Sequence, residues 1–229
     1  VGEIMQIFLY YFLLFLIYSF IGWIIEVISC FIIEKKFINR GFLIGPYCPI
    51  YGVAVLIMIL YLTQYKDNLL TVFLLAFIIC SFLEYVASYL MEKIFKARWW
   101  DYNGHKFNLN GRICLSNAIM FGLASVVVIC FLNPIIENLI IKIPDIVLIC
   151  LSIVLLILFI ADCILSFNII YKITRTAKEI KRDSTEEISR VVKQILSKKL
   201  FQRRIFSAFP SFKIIGNLKN KIKNQNKKQ

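Results

Sequence analysis

Five long apolar stretches constrain the fold of this chain more than any other feature of its sequence. They cover Ile4–Ile33, Phe42–Leu62, Asn68–Leu90, Ile113–Ile136 and Ile146–Tyr171. A helix needs about 20 mostly apolar residues to cross a hydrocarbon core about 30 Å thick. Backbone groups in lipid must find their hydrogen bonds within their own segment, which favours helices over strands. The sequence therefore predicts an all-α integral membrane protein with about five transmembrane helices.

Charge divides the chain into a transmembrane domain, residues 1–172, and a basic tail, residues 173–229. From Lys172 onward there are 17 Lys/Arg and 4 Asp/Glu, which accounts for the whole net charge of +13. A three-to-four spacing of apolar residues from Ile173 predicts that the last helix continues as an amphipathic helix. A capping box at Ser184 and Glu187 offers an alternative break, and we expect the polar end of the tail to be disordered.

The tail also indicates a partner. Between 196 and 216 aromatic residues alternate with Lys/Arg, a pattern that suits membrane lipids of an anionic inner leaflet at about 1 kcal/mol per basic residue. Attachment to five spans makes nucleic acid the less favoured partner.

Basic residues in the loops predict the orientation. If the five spans alternate in direction, 25 Lys/Arg lie on one side of the membrane and only Lys66 and Lys142 on the other. The positive-inside rule puts the basic side in the cytoplasm. We therefore expect a multi-pass protein of the cell membrane with its N-terminus outside and its C-terminus in the cytoplasm.

The three inward-running helices each carry one acid within the apolar stretch: Glu26, Glu84 and Asp162. Each acid precedes the first lysine at the end of its helix by nine or ten residues, which predicts a common depth. An ionisable group at such depth is costly and usually faces the bundle interior with a partner. Helices 1 and 3 share further positions, which suggests two parallel helical hairpins followed by a fifth helix.

The first connector, NRGFLIGPYCPIYG, does not suit a regular span. It holds Gly45, Pro46, Cys48, Pro49, Tyr51 and Gly52. Proline removes a backbone donor and fixes φ. One interpretation is a broken or re-entrant start of helix 2 that lines a cavity. The other is a tight entry turn with proline in the first helical turn.

The second connector, residues 97–117, brings polar side chains back to the membrane. Trp99, Trp100 and Tyr102 are interface anchors by residue type. The candidate intramembrane polar site comprises Glu26, Glu84, Asp162, Arg40, Arg112, Asn108, Asn110 and Trp23. In the functional interpretation, Arg40 and Arg112 pair with Glu26 and Glu84 in a cluster open to the cytoplasm. In the alternative, the same pairs only hold the helices in register.

Nothing in the sequence indicates a cofactor, a metal site or a catalytic group. The seven cysteines include no C-x-x-C pair, and the single histidine, His105, has no ligand set at metal-binding spacing. We expect free cysteines that serve as small packing residues.

Four separated motifs resemble a known family. They are YSFIGWIIE at 18–26, NRGFLIGPYCPIYG at 39–52, FLEY at 82–85 and WWDYNGHKFNLNGRICL at 99–115. In this order they resemble the putative ABC-transporter type IV, or CmpB-like, membrane proteins of bacteria. The resemblance implies a small permease-like protein that works with an ABC system. The chain has no G-x-x-x-x-G-K-[ST] motif, so the ATPase would be a separate subunit.

Three functions remain open from the sequence. The first is a permease-like subunit of an ABC-type transport system with an unknown substrate. The second is a membrane-anchored scaffold or regulator that acts through its basic tail. The third is a lipid-modifying membrane enzyme, with the acids as general acid and base and the arginines as phosphate binders. A homo-oligomer is compatible with each of them.

Overall fold

Five helices form the body of the chain. The computed structural model describes residues 2–95, 97–179, 208–209 and 213–214, with only the backbone given for 173–179 and 213–214. The helices are α1 (Gly2–Glu34), α2 (Pro49–Leu62), α3 (Leu69–Phe95), α4 (Leu115–Ile140) and α5 (Asp145–Glu179). The predicted helical membrane fold is confirmed. The predicted capping box, the greater part of the basic–aromatic segment and the polar end of the tail lie outside the described residues.

Four of these helices, α1, α3, α4 and α5, are long and apolar enough to cross a membrane. The second is shorter than predicted, because it begins at Pro49 instead of Phe42. Its 14 residues and the 3-10 turn Thr63–Tyr65 span about 27 Å, against about 30 Å of hydrocarbon. Residues 41–46 form bends, and Pro49 occupies the first turn of the helix, where a missing N–H costs least.

Two helix pairs, α1 with α2 and α3 with α4, each cross at a glycine. A Cβ on Gly52 of α2 would collide with Phe15 and Ser19 of α1, and a Cβ on Gly122 of α4 would lie 2.7 Å from the Phe73 ring of α3. Phe15 and Phe73 each lie eleven residues before the acid of their helix, Glu26 or Glu84. Small residues let helix backbones approach closely in membranes. The two crossings are therefore equivalent in sequence, and an ancestral duplication stays a prediction.

A π-helical segment, Val128–Leu132, interrupts α4. It precedes Pro134, whose ring would clash with the carbonyl four residues earlier in a regular helix, and the wider turn relieves that clash. The following Asn133 is buried and accepts a hydrogen bond of 2.9 Å from the Tyr18 hydroxyl of α1. The bulge thus directs a polar contact between α4 and α1.

The two connectors lie at the same end of the bundle, which we call the connector end. The first connector covers residues 35–48 and the second covers 97–114. The Phe42 ring lies 5.4 Å from the Trp99 ring, centroid to centroid. The second connector contains strands β1 (Ala97–Arg98), β2 (Asn108–Leu109) and β3 (Ile113–Cys114).

Short antiparallel pairs order the second connector. Strand β2 pairs with β3 around a turn in which Asn110 and Gly111 have φ of 54° and 64°. Both values are those of a type I′ turn, for which Asn-Gly is the preferred sequence. A segment of the C-terminal tail returns to this connector, where strand β4 (Lys213–Ile214) pairs with β1.

Candidate functional site

Glu26 lies in the last third of α1 and has partners from α2 and the first connector. Its Oε1 accepts a hydrogen bond of 2.5 Å from the Tyr51 hydroxyl, and its Oε2 lies 3.5 Å from Nε of Arg40. The predicted contact between Arg40 and Glu26 is therefore present. Gly22, one turn before Glu26, leaves room for the Tyr51 ring, because any Cβ there would overlap it.

Glu84 lies in α3 and is bound by a residue of the second connector. Its Oε1 accepts a hydrogen bond of 3.0 Å from the Tyr102 hydroxyl. The Tyr102 oxygen in turn accepts one of 2.6 Å from Nδ2 of Asn117 on α4. The other carboxylate oxygen, Oε2, is buried without a hydrogen-bond partner. Glu84 as a whole is only 7% exposed.

The two acids belong to one cluster. Burial, the Glu84 carboxylate and the more distant Glu26 carboxylate all raise the pKa of Tyr102 above its ordinary range. Tyr102 therefore stays protonated and donates to Glu84. We call Glu26, Tyr51, Arg40, Glu84, Tyr102 and Asn117 the acid-pair cluster. It draws on α1 to α4 and both connectors.

Arg112 does not join this cluster as predicted. We expected it to pair with Glu84, but its guanidinium lies 3.0 Å from Glu92, about two turns further along α3. It also donates to Ser88 at 3.2 Å and lies over the Tyr85 and Tyr89 rings. Glu92 is nearer to the end of α3, within reach of the second connector, and Arg98 of the same connector also lies 3.3 Å from it.

Asp162 of α5 binds the first connector and not the other two acids. It accepts hydrogen bonds from the backbone N–H groups of Ile44 at 3.0 Å and Gly45 at 2.7 Å, and from the Tyr47 hydroxyl at 2.5 Å. Ser166, one turn later, donates to it at 2.8 Å. Burial and the hydrogen bond to Asp162 raise the pKa of Tyr47. Asp162 thus holds the bend that precedes α2.

Further contacts fix the first connector against α1. The Trp23 indole donates to Asn39 at 2.7 Å, and the Cys48 N–H donates to the Ser19 carbonyl at 2.9 Å. Cys48 is buried at the N-cap of α2, while Pro46 is exposed in the bend. The connector therefore sets the position of Arg40 and Tyr51 relative to Glu26.

Asn108 and Asn110 shape the second connector and contact neither acid in the described structure. Asn108 accepts from the Gly111 N–H at 2.9 Å and donates to the His105 carbonyl at 2.8 Å. Asn110 sits in the turn and donates to the Tyr85 hydroxyl at 3.0 Å. Their role is to close the loop that carries Tyr102.

The C-terminal segment reaches the cluster through Arg40. The Arg40 guanidinium donates to the Ala208 carbonyl, and Ala208 is fully buried. The Phe209 ring meets the Trp99 ring edge-on, with centroids 4.9 Å apart. Trp99 itself is 3% exposed, so it is a buried residue and not the interface anchor that its type suggested.

Sequence reasoning did not assign Tyr102 and Asn117 to the site. Tyr102 was predicted to be an interface anchor. The signal that could have assigned it to the site is its hydroxyl group, a potential donor for the acid that α3 carries within its apolar stretch. Among the described residues, no group of three or more His, Cys, Asp or Glu could hold a metal ion. The seven cysteines are free, and four of them, Cys30, Cys48, Cys80 and Cys114, are buried.

These features define a class: multi-span helical membrane proteins with a buried polar cluster at one end of the bundle. The comparison with family models gives the particular family. The chain belongs to the family described as "Putative ABC-transporter type IV", whose model matches residues 13–167. No curated protein and no solved structure matches the chain.

Proposed function

We propose that this chain is the permease-like membrane subunit of an ABC-type transport system, and that the acid-pair cluster forms part of its transport pathway. One observation carries the proposal. Two carboxylates, one from each helix pair, meet hydroxyl and guanidinium donors inside a largely apolar bundle. Intramembrane acids are costly and commonly mark a substrate or ion pathway.

An ATPase partner follows from the family and from the sequence. The chain has no P-loop motif, so ATP hydrolysis would come from a separate subunit. The second connector is the larger ordered loop and would be its docking surface. The proposal also puts the connector end in the cytoplasm of the cell, where an ATPase is found and where the basic loops favour it.

The test is transport by the intact chain, purified with any ATPase that accompanies it and reconstituted in liposomes. We expect Glu26→Gln and Glu84→Gln each to reduce flux at least tenfold, because each removes a charge or proton site from the pathway. Glu3→Gln is the matched control, since Glu3 is exposed at the start of α1. Unchanged flux in both cluster variants would contradict the assignment.

A second candidate function is regulation through the basic tail. The contacts of Ala208 with Arg40 and of Phe209 with Trp99 favour it, because they link the tail to the acid-pair cluster. Removal of residues 208–229 separates the candidates in the same liposomes. A permease keeps its sensitivity to Glu84→Gln without the tail. A scaffold or regulator depends on the tail, through an anionic leaflet or a partner, and tolerates Glu84→Gln.

A further inference from the structure

Glu84 combines deep burial with an incomplete set of partners. One of its carboxylate oxygens accepts from Tyr102, and the other has no hydrogen-bond partner. Among the described residues, no Lys or Arg lies within ion-pair distance of it, since Arg40 pairs with Glu26 while Arg98 and Arg112 pair with Glu92. An ionised carboxylate in such a place lacks the pairing that buried charges require.

Ser81 supplies the second half of the observation. Its hydroxyl is also buried without a hydrogen-bond partner, and it precedes Glu84 by three residues on α3. Side chains at this spacing are neighbours on one face of a helix. A serine hydroxyl can donate to an ionised carboxylate, yet Ser81 Oγ and Glu84 Oε2 both lack a partner and so do not bond each other in the described conformation. The structure therefore withholds from this oxygen the donor that a buried carboxylate would require.

We infer that Glu84 is a proton-binding site whose carboxyl group is neutral in the described conformation. On release, the O–H bond of Glu84 breaks and water entering from the connector end takes the proton. The carboxylate left behind is then bonded by the hydroxyls of Tyr102 and Ser81. The use of this proton in transport rests on the proposed function, whereas its presence does not.

The described groups that face Glu84 are neutral or negative, and none of them is a cation. Tyr102 from the second connector is held protonated and Asn117 from α4 is neutral, so neither can balance a negative charge. The Glu26 carboxylate, with Tyr51 beside it, acts on Glu84 with the same sign of charge. Cys80, one turn before Glu84, is a buried thiol and supplies no positive charge either.

Glu26 provides the contrast. Its side chain is 32% exposed and lies 3.5 Å from Arg40, and Tyr51 donates to it. A carboxylate with a cation and a donor is stable in its ionised form. The two acids of the cluster therefore differ in protonation, although their positions in the two helix pairs correspond.

The test is infrared spectroscopy of the purified full-length protein in lipid. The difference between wild type and Glu84→Gln should show the carbonyl band of a protonated carboxylic acid, and that band should shift in D₂O and vanish at high pH. The difference between wild type and Glu26→Gln should show no such band. Glutamine keeps the shape and the acceptor for Tyr102, so both variants should fold.

Ser81→Ala tests the state after proton release. It should raise the pH at which the Glu84 band vanishes, because the ionised carboxylate loses the Ser81 hydroxyl as a donor. The inference is overturned if the difference spectrum for Glu84→Gln shows no protonated-acid band. It is also overturned if such a band does not shift in D₂O and does not change with pH. If the band is present but no flux is measured, the proton site stands and the proposed transport function is contradicted. If flux is measured without the band, the transport function stands and the proton site is contradicted.

Discussion

At the scale of single residues, Tyr102 is the side chain that joins the second connector to the transmembrane helices. Its hydroxyl donates to the buried Glu84 and accepts from the partly buried Asn117, so it serves two polar groups at once. Its loss would leave both partners without this bond, and the cost is greatest at Glu84 because that side chain is buried.

Tyr102→Phe should therefore lower the free energy of unfolding by about 1–3 kcal/mol. Thermal unfolding in detergent measures this, with Tyr61→Phe as the control, because the Tyr61 ring is exposed. The raised pKa of Tyr102 means that its contribution is complete below about pH 10 and is lost as the pH rises further. Tyr102→Phe should remove that part of the alkaline loss. Equal stability of both variants would contradict the assigned role.

At the scale of elements, the first connector depends on a helix that is distant in sequence. Asp162 and Ser166 of α5 bind the bend at Ile44 and Gly45, which lie 118 and 117 positions from Asp162 in the chain. Glycine and proline at 45, 46 and 49 predicted an irregular segment correctly. These residues do not indicate which acid accepts from the backbone N–H groups of the bend, because that depends on how α5 packs.

Asp162→Asn should loosen this bend. The amide would present an N–H group toward two backbone N–H donors and a tyrosine hydroxyl, which replaces attraction by repulsion. Trypsin should then cleave after Arg40 several-fold faster in detergent. The rate is measured from the appearance of the N-terminal fragment. Asp145→Asn at the exposed start of the same helix is the control. An unchanged cleavage rate would show that Asp162 is not what holds the connector.

At the scale of the whole molecule, the sequence predicted the number and type of the helices well, because hydropathy and helix length follow directly from the bilayer. It predicted the contact between Arg40 and Glu26, which lie on adjoining segments. It paired Arg112 with Glu84, whereas the structure pairs it with Glu92. Both acids lie on α3 about two turns apart, and the sequence does not say which of them the packing of the connector brings to the guanidinium. It also placed Asp162 with acids that it does not contact.

The orientation of the molecule is a prediction that fusions can check. A fluorescent protein joined after Gln229 should be fluorescent, and a phosphatase joined there should be inactive, because the basic loops favour a cytoplasmic connector end. A phosphatase joined after Asp67, in the short loop between α2 and α3, should be active. The reverse pattern would put both connectors outside and remove the proposed docking surface for an ATPase.

The bond between Arg40 and Ala208 also has a consequence for biosynthesis. It joins residues 168 positions apart, so it cannot form until the ribosome has made nearly the whole chain. Until then Arg40 is held only by Glu26, and the first connector waits for α5 and the tail. A nascent chain therefore passes through a stage in which four helices are inserted while the connector end is still uncovered. That stage is where a membrane chaperone or a quality-control protease would meet it.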